Sequence, residues 1–146
     1  MKRTLFLMVL LVMMLGTAVA CSGAAETTTA PVTAAEAAVG ELDLADTVDV
    51  QTVASVKERE DVFVIDVREQ WEYDEAHIPG VTLIPMDEVA NRLAEIPTDK
   101  EVIVTCRSGN RSGQITDFLR EQGFDNVHNM DGGILAWQAA GYDVEQ

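Results

Sequence analysis

Cysteine and histidine are both scarce in this chain, which has two of each among its 146 residues. His77 and His128 lie far apart in the sequence, and neither shares ligand spacing with Cys21 or Cys106. Proteins bind structural and catalytic metals through closely spaced clusters of histidine, cysteine and carboxylate side chains. Because the sequence has no such cluster, we expect no metal site and no resident cofactor.

Basic residues are few as well: 10 lysines and arginines stand against 25 aspartates and glutamates, and the formal net charge is −15. A surface of this sign repels the phosphates of nucleic acids and the headgroups of an anionic bilayer. We therefore expect no nucleic-acid partner and no electrostatic binding to a membrane. Against this background, Arg107 and Arg111 form a local positive site that can attract a small anionic substrate.

Long hydrophobic runs are also missing, apart from one near the start of the chain. Residues 5–15 are apolar and follow a lysine and an arginine, but the run is too short to span a bilayer comfortably. This pattern predicts a signal peptide over residues 1–20. The small residues ahead of Cys21 resemble a bacterial lipoprotein box, which implies that Cys21 is lipidated and anchors an exported protein on the extracytoplasmic side of a membrane. Ordinary signal-peptidase cleavage at residues 18–20 is the alternative.

Residues 21–43 are rich in alanine, threonine and glutamate and contain scarcely any large apolar side chain. Such a segment cannot bury enough surface to fold alone, so we expect a flexible tether ahead of one domain over residues 44–146. If Cys21 carries lipid, Cys106 has no disulfide partner in a compartment that oxidises thiols. An unpaired reactive thiol in an oxidising compartment indicates that the thiol has a chemical function.

The residues around Cys106 predict an anion-binding thiol. Residues 101–105 have the apolar, β-branched composition of a buried strand, and apolar residues recur at helical spacing between 115 and 119. Cys106 therefore follows a strand and precedes a helix, where the backbone N–H groups of residues 107–111 have no acceptor within the helix. Lowering a thiol pKa from about 8.5 to 7 takes roughly 2 kcal/mol, which a helix N-terminus and two arginines can supply.

Three separate segments of the chain resemble motifs of the rhodanese family of sulfurtransferases and stand in that family's order. The first reads Val-Ile-Asp-Val-Arg-Glu at 64–69, and it continues through Trp-Glu-Tyr at 71–73 to His-Ile-Pro-Gly at 77–80. The second is the loop Cys-Arg-Ser-Gly-Asn-Arg-Ser at 106–112. The third is Asp-Gly-Gly-Ile at 131–134, with the aromatic residues that follow it. Together they cover nearly the whole predicted domain.

The resemblance implies a thiosulfate sulfurtransferase that works through a persulfide. The Cys106 thiolate would take a sulfur atom from thiosulfate or a related anionic donor and pass it to a thiol or to cyanide. A protein is a further candidate acceptor. The resemblance also implies a substrate-binding loop, whose residues are Arg107, Ser108, Gly109, Asn110, Arg111 and Ser112.

Within this loop we expect Arg111 to orient the anionic donor and Arg107 to add positive potential at the mouth of the site. Two guanidinium groups suit a dianion such as thiosulfate, and relatives that act on mercaptopyruvate usually have an uncharged loop. Ser108 and Ser112 either donate hydrogen bonds to the sulfur or cap the turn and the helix.

The length of the loop separates the alternatives. Four residues lie between Cys106 and Arg111, and phosphatases with a related cradle have one more at this place. By the resemblance to the rhodanese family, the shorter loop implies a sulfur atom on the cysteine rather than an enclosed phosphate, but a phosphatase or an arsenate reductase remains an alternative. A module that carries sulfur or docks a partner protein without catalysis is another.

Several residues outside the loop have expected supporting roles. Asp66 and Arg68 follow an apolar run, and the resemblance implies that they hold the loop from behind without direct catalysis. The alternative is a capping aspartate and a solvent-exposed arginine. His77 leads into a Pro-Gly turn, so we expect it to hydrogen-bond to backbone rather than transfer protons. Trp71 and Tyr73 are candidates for the wall of an acceptor pocket.

Short apolar runs alternate with amphipathic stretches through the predicted domain. Strands are predicted near residues 47–50, 61–65, 81–84, 101–105 and 126–129. The clearest helix is predicted at Met86–Ile96, which Pro97 ends, and Gly123 ends the helix after Cys106. This alternation predicts an α/β fold with a mainly parallel sheet of about five strands and helices on both faces, as the resemblance also implies.

Overall fold

The computed structural model describes residues 42–146. The predicted signal peptide, Cys21 and nearly all of the predicted tether lie outside these residues, so the structure bears on none of them. Within the described range, none of the helices combines the length and apolar character that a membrane crossing requires.

In residues 42–146, five strands form one parallel sheet, which confirms the predicted fold class. The strands are β1 Thr47–Val48, β2 Val62–Asp66, β3 Thr82–Leu83, β4 Glu101–Thr105 and β5 Val127–Met130. Their order across the sheet is β1-β5-β4-β2-β3, and every neighbouring pair is parallel. The outer strands β1 and β3 have two residues each, whereas β2 and β4 near the centre have five.

Four α-helices lie between the strands in the same part of the chain. They are α1 Val50–Val56, α2 Gln70–Glu75, α3 Asn110–Glu121 and α4 Gly133–Ala139. Local signals set several of their ends. The Asp49 carboxylate caps α1 by accepting a hydrogen bond from the Thr52 N–H at 2.8 Å. Gly123, whose φ is 97°, lies just beyond α3 and ends it as predicted.

Alternate residues of β4 point to opposite faces of the sheet, and helices cover each face. Val102 and Val104 pack in one buried cluster with Ile115 and Leu119 of α3. Ile103, between them, packs in a second cluster with residues of α1 and α4. The prediction of helices on both faces is therefore confirmed.

Strands β2 and β4 lie side by side, so the residues at their carboxyl ends meet. Asp66, which ends β2, pairs in register with Thr105, which ends β4. Cys106 follows directly, and the chain then turns into α3. In parallel α/β sheets this edge is where loops form binding sites. The topology thus brings Asp66 and Cys106 to the same edge of the sheet.

The predicted helix at Met86–Ile96 is wrong. Two short 3₁₀ turns occupy this segment, at Val89–Asn91 and Leu93–Glu95. An isolated helix of such length is marginal, so tertiary contacts decide the conformation. Val89 and Ile96 are both buried on the α3 side of the sheet. Since a 3₁₀ turn rises about 2.0 Å per residue against about 1.5 Å in an α-helix, the segment covers more distance on its way to β4 while burying both side chains.

Candidate active site

Cys106 lies where the chain leaves β4 and turns into α3. Its Sγ accepts a hydrogen bond from the backbone N–H of Gly109 at 3.2 Å, and the Ser112 hydroxyl donates to the same atom at 3.4 Å. Cys106 is 1% exposed and Ser112 is fully buried. The sulfur therefore lies inside the turn with two donors directed at it.

Two opposing effects act on the ionisation of this thiol. Burial raises the pKa of Cys106, whereas hydrogen bonds from the Ser112 hydroxyl and from the backbone N–H groups of Ser112, Ser108 and Gly109 lower it. Together the hydrogen bonds prevail, and the pKa of Cys106 lies below its ordinary value. The start of α3 thus stabilises a thiolate through the Ser112 hydroxyl and through backbone N–H groups.

The backbone of α4 packs directly against this loop. Gly133 has a φ of 54°, and a Cβ at this position would lie 2.3 Å from the Cys106 carbonyl oxygen. The N–H of Ile134 donates to that oxygen at 2.9 Å, and the N–H of Leu135 donates to the Arg107 carbonyl oxygen at 3.1 Å. Only glycine permits so close an approach in this conformation. The glycines of the third sequence motif therefore fix the backbone of the cysteine loop.

Arg111 is held by an ion pair. Its Nη1 and Nη2 donate to Glu72 Oε2 and Oε1 at 2.6 and 2.8 Å. These hydrogen bonds hold the pKa of Glu72 below its ordinary value. Glu72 and, to a smaller extent, the Cys106 thiolate raise the pKa of Arg111. Arg111 thus lies near the sulfur, but Glu72 occupies the edge of the guanidinium that a dianionic donor would use.

Asp66 and Arg68 form a buried ion pair, at 1% and 4% exposure, in which Arg68 Nη2 lies 2.7 Å from Asp66 Oδ2. Arg68 Nη1 also donates to the Glu72 carbonyl oxygen at 3.1 Å, and Nη2 donates to the Ala76 carbonyl oxygen at 2.8 Å. The pair therefore anchors α2 to the end of β2. Because α2 carries the Glu72 carboxylate that binds Arg111, the connection from Asp66 and Arg68 to the loop runs through this helix.

Arg107 differs from Arg111 in its surroundings. Its side chain is exposed, and within residues 42–146 it makes no hydrogen bond or ion pair. It lines a cavity of about 390 Å³ between α2 and α4. Ser108 and Asn110 are exposed as well, and Ser108 acts on the thiol through its backbone N–H. Arg107 is therefore the guanidinium of the loop that is open to a ligand.

The two aromatic candidates of the first motif have different surroundings. The Tyr73 hydroxyl donates to the Val81 carbonyl oxygen at 2.8 Å, and its ring stacks on His77 with centroids 3.8 Å apart. Tyr73 is not among the residues that line the cavity beside Arg107. Trp71 does line the cavity and is 68% exposed. His77 hydrogen-bonds to backbone, as expected, through Nδ1 and the Tyr73 carbonyl oxygen at 2.9 Å.

His128 lies in β5 and has a structural role. Its Nδ1 lies 2.8 Å from the Ala45 carbonyl oxygen, and its Nε2 lies 2.7 Å from Glu101 Oε2. Across the described part of the chain, no group of three or more histidine, cysteine, aspartate and glutamate residues is placed to hold a metal ion.

The family model of the rhodanese-like domain matches residues 49–140 of this chain. The chain belongs to the rhodanese-like domain family. This result confirms the resemblance drawn from the three sequence motifs. The matched range includes all four helices and every strand except β1.

Comparisons with individual proteins agree with the family. The rhodanese-like domain is 40% identical over 85 residues to a sulfurtransferase of Allochromatium vinosum, which covers 58% of this chain and 79% of that protein. It is 37% identical over 83 residues to the thiosulfate sulfurtransferase GlpE of Pseudoalteromonas translucida, and this match covers 57% of this chain and 79% of that protein. The crystal structure of a rhodanese-related protein from Thermoplasma volcanium superposes with a TM-score of 0.62 at 29% identity, covering 69% of this chain and 98% of that one.

The sequence alone does not identify two partners of the loop in this rhodanese-like domain. Glu72 belongs to the first motif, but nothing in its spacing connects it with Arg111, which lies 39 residues later. Gly133 does give a signal, because adjacent glycines at the start of a helix indicate a close approach of two backbones. That signal does not say which backbone approaches.

Proposed function

We propose that this rhodanese-like domain is a thiosulfate sulfurtransferase that carries sulfur as a persulfide on Cys106. The observation that carries the proposal is the pair of donors at Sγ, the Gly109 N–H at 3.2 Å and the Ser112 hydroxyl at 3.4 Å. These donors stabilise a thiolate before sulfur transfer and a persulfide anion after it. The identity to proteins named as sulfurtransferases supports the same chemistry.

In the first half-reaction, the Cys106 thiolate attacks the outer sulfur of thiosulfate. A bond forms between Sγ and that sulfur, the S–S bond of thiosulfate breaks, and sulfite leaves with the bonding electron pair. One thiolate and one dianion give one persulfide anion and one sulfite dianion, so atoms and charge balance. The depressed pKa of Cys106 supports this step because it raises the fraction of thiolate at neutral pH.

In the second half-reaction, a thiolate or cyanide attacks the outer sulfur of the persulfide. The bond between Sγ and the outer sulfur breaks, and Cys106 leaves as a thiolate. A thiol with a low pKa leaves more readily, so the donors at Sγ assist this step too. The two halves form a ping-pong cycle in which donor and acceptor use the site in turn.

Arg107 is the better candidate for contact with the anionic donor. Its guanidinium is exposed and makes no ion pair within the described residues, whereas Arg111 is bound to Glu72 through two hydrogen bonds. We therefore assign to Arg107 the donor contact that the sequence analysis gave to Arg111. Arg111 contributes positive potential near the sulfur and joins the loop to α2.

We also propose that the domain acts outside the cytoplasm on a lipid anchor at Cys21. The basic, apolar and small residues ahead of Cys21 support this proposal. Cys21→Ala in the producing bacterium should move the protein from the membrane fraction to the soluble fraction, and labelled fatty acid should no longer be incorporated. Unchanged membrane association of Cys21→Ala would contradict the lipid anchor.

The test of sulfur transfer uses the full chain with thiosulfate alone and then with cyanide. Intact-mass measurement should show one added sulfur atom on the wild-type protein, and cyanide should release it as thiocyanate over repeated cycles. Cys106→Ser should lose turnover by roughly a thousandfold or more, because no other group replaces the nucleophile. Absence of the sulfur adduct on wild type would overturn the proposal.

The alternatives give different results in the same assay. A sulfur carrier without catalysis takes up one sulfur atom but does not turn over with cyanide or with small thiols. A phosphatase hydrolyses an aryl phosphate, and an arsenate reductase consumes arsenate with a thiol. We expect turnover with thiosulfate and cyanide, and none with either oxyanion.

A further inference from the structure

Glu72 is held in place by the first turn of α2 as well as by Arg111. Its Oε2 accepts a hydrogen bond from the Glu69 N–H at 3.2 Å, within a capping box in which Glu69 is the N-cap residue. The same oxygen accepts from Arg111 Nη1, and Oε1 accepts from Arg111 Nη2. The Glu72 side chain is only 11% exposed, so solvent screens its charge weakly. The carboxylate is therefore a fixed counter-ion of Arg111.

Arg111 is also within electrostatic reach of the reacting sulfur. Glu72 is the main cause of the raised pKa of Arg111, and the Cys106 thiolate is a further cause. A guanidinium binds an oxyanion through two parallel N–H groups, in the same way as it binds a carboxylate. Glu72 already holds two N–H groups of Arg111 and offsets its charge. Arg111 is thus largely withheld from an anion that arrives at Cys106.

The other cations near the loop differ in the same respect. Arg107 is exposed and makes no ion pair within the described residues, whereas Arg68 is bound to Asp66 at 2.7 Å. One unpaired guanidinium matches a donor with a single negative charge. The second charge of a dianion meets groups that are already neutralised, so it adds little to the affinity. The charges around the loop therefore give a weak preference for dianions over monoanions.

A purely structural connection between α2 and the loop would also explain the ion pair of Glu72 with Arg111. The two roles affect sulfur donors differently. Loss of a structural connection disturbs the loop and changes the reaction of every donor alike. Loss of a counter-ion releases the positive charge of Arg111, and this favours the donor that carries the greater negative charge.

We propose that Glu72 is a specificity-determining residue, which acts through Arg111 and limits the preference of the site for doubly charged donors. Glu72 itself touches no substrate. The same effect weakens the hold of the loop on sulfite, the dianion that must leave before an acceptor can enter. The inference rests on the proposed sulfur transfer and adds a residue that sets its donor specificity.

The test compares thiosulfate, a dianion, with methanethiosulfonate, a monoanion that also has an outer sulfur. The Cys106 thiolate takes that sulfur from either donor, and sulfite or methanesulfinate leaves with the bonding electron pair and the donor's full charge. Values of kcat/KM for both donors are measured on the full chain at fixed ionic strength, with cyanide as acceptor. Glu72→Gln should raise the ratio of thiosulfate to methanethiosulfonate about fivefold, the effect of one partly screened unit charge. A change in the thiolate fraction cancels in this ratio, because both donors react with the same thiolate.

Two further variants separate charge from packing. Glu72→Asp shortens the side chain but keeps its charge, so its donor ratio should stay close to the wild-type value. Asp74→Asn removes a charge from the exposed side of the same helix and should leave the ratio unchanged. A ratio in Glu72→Gln at or below the wild-type value would overturn the inference. An equal rise of the ratio in Asp74→Asn would also overturn it.

A binding measurement separates this inference from the proposed function. Sulfate is a dianion without a transferable sulfur, and NMR follows its binding to the unloaded chain through the side-chain N–H signal of Arg111. The dissociation constant should be about fivefold lower for Glu72→Gln than for wild type, and unchanged for Asp74→Asn. Equal constants for Glu72→Gln and wild type, or no response of the Arg111 signal in Glu72→Gln, overturn the inference. If wild type takes no sulfur from thiosulfate, the donor chemistry fails while this titration still decides the role of Glu72.

Discussion

Glu72 and Arg111, which lie 39 residues apart in the sequence, form a two-point ion pair with N–O distances of 2.6 and 2.8 Å. The pair joins α2 to the first turn of α3, which surrounds the Cys106 sulfur. Arg68 holds α2 from its other end by donating to the Glu72 and Ala76 carbonyl oxygens. The shape of the cysteine loop therefore depends on a helix that lies outside the loop.

Glu72→Gln should destabilise the domain, because glutamine keeps the size of the side chain but not its charge. The expected loss is about 1–2 kcal/mol in the free energy of unfolding, between the values for exposed and buried ion pairs. Chemical denaturation at neutral pH measures it. Asp74→Asn, on the exposed side of the same helix, is the matched control and should cost less than about 0.5 kcal/mol. Equal losses in the two variants would contradict the role of the pair.

The same pair predicts how stability depends on pH. Since Arg111 lowers the folded-state pKa of Glu72, the contribution of the pair is fully present above the unfolded pKa of about 4.3 and is lost as pH falls through the folded value. Wild type should therefore lose more stability than Glu72→Gln as the pH is lowered below about 4.3. Denaturation curves at a series of pH values measure the difference. Parallel pH profiles for the two proteins would exclude this linkage.

Ser112→Ala should raise the pKa of Cys106 because it removes the hydroxyl that donates to Sγ at 3.4 Å. The rate of alkylation by iodoacetamide follows the thiolate fraction, so its midpoint should move to higher pH. Ser108→Ala is the control, since Ser108 acts on the thiol through its backbone N–H, which alanine retains. A midpoint that moves equally in both variants would show that the Ser112 hydroxyl has no specific effect.

Gly133→Ala should displace the cysteine loop from α4. The new Cβ would lie 2.3 Å from the Cys106 carbonyl oxygen and 2.6 Å from the Arg107 carbonyl carbon, so backbone must move. We expect a loss of at least about 3 kcal/mol in stability, together with weaker persulfide formation. Thermal and chemical unfolding measure the first effect, and mass analysis after thiosulfate treatment measures the second.

Gly80→Ala is the control for Gly133→Ala. Gly80 also has a positive φ, of 77°, but a Cβ there would meet no atom within 4 Å. It should cost only the backbone preference of about 1 kcal/mol and leave sulfur loading unchanged. Similar losses of stability in both variants would show that the positive φ of Gly133, and not its contact with the cysteine loop, explains the effect of Gly133→Ala.

The local part of the site can be predicted from the sequence because it depends on consecutive residues. An apolar run followed by Cys106 and a helix gives a strand, a turn and unpaired N–H groups in one short stretch, and the structure has this arrangement. The same reasoning places the strand that ends at Asp66. In each case, the spacing of apolar residues and the amino-acid composition within one segment determine whether it forms a strand or a helix.

Contacts between segments that are distant in the sequence could not be predicted from local sequence patterns. The pairing of Glu72 with Arg111 occupies the guanidinium that the sequence analysis gave to the donor, and only the tertiary fold brings these two side chains together. The segment 86–96 has a helical pattern, yet the distance it must cover and the burial of Val89 and Ile96 favour 3₁₀ turns. Tertiary geometry decides both outcomes.

The brevity of β1 and β3 bears on how the molecule behaves in crowded conditions. An edge strand has unpaired backbone N–H and C=O groups, to which a strand of another copy can hydrogen-bond. Fibrils and domain-swapped oligomers begin in this way. Two residues on each rim offer too little length for such growth. We therefore expect the rhodanese-like domain to stay free of sheet-mediated polymerisation at high concentration and in tandem fusions.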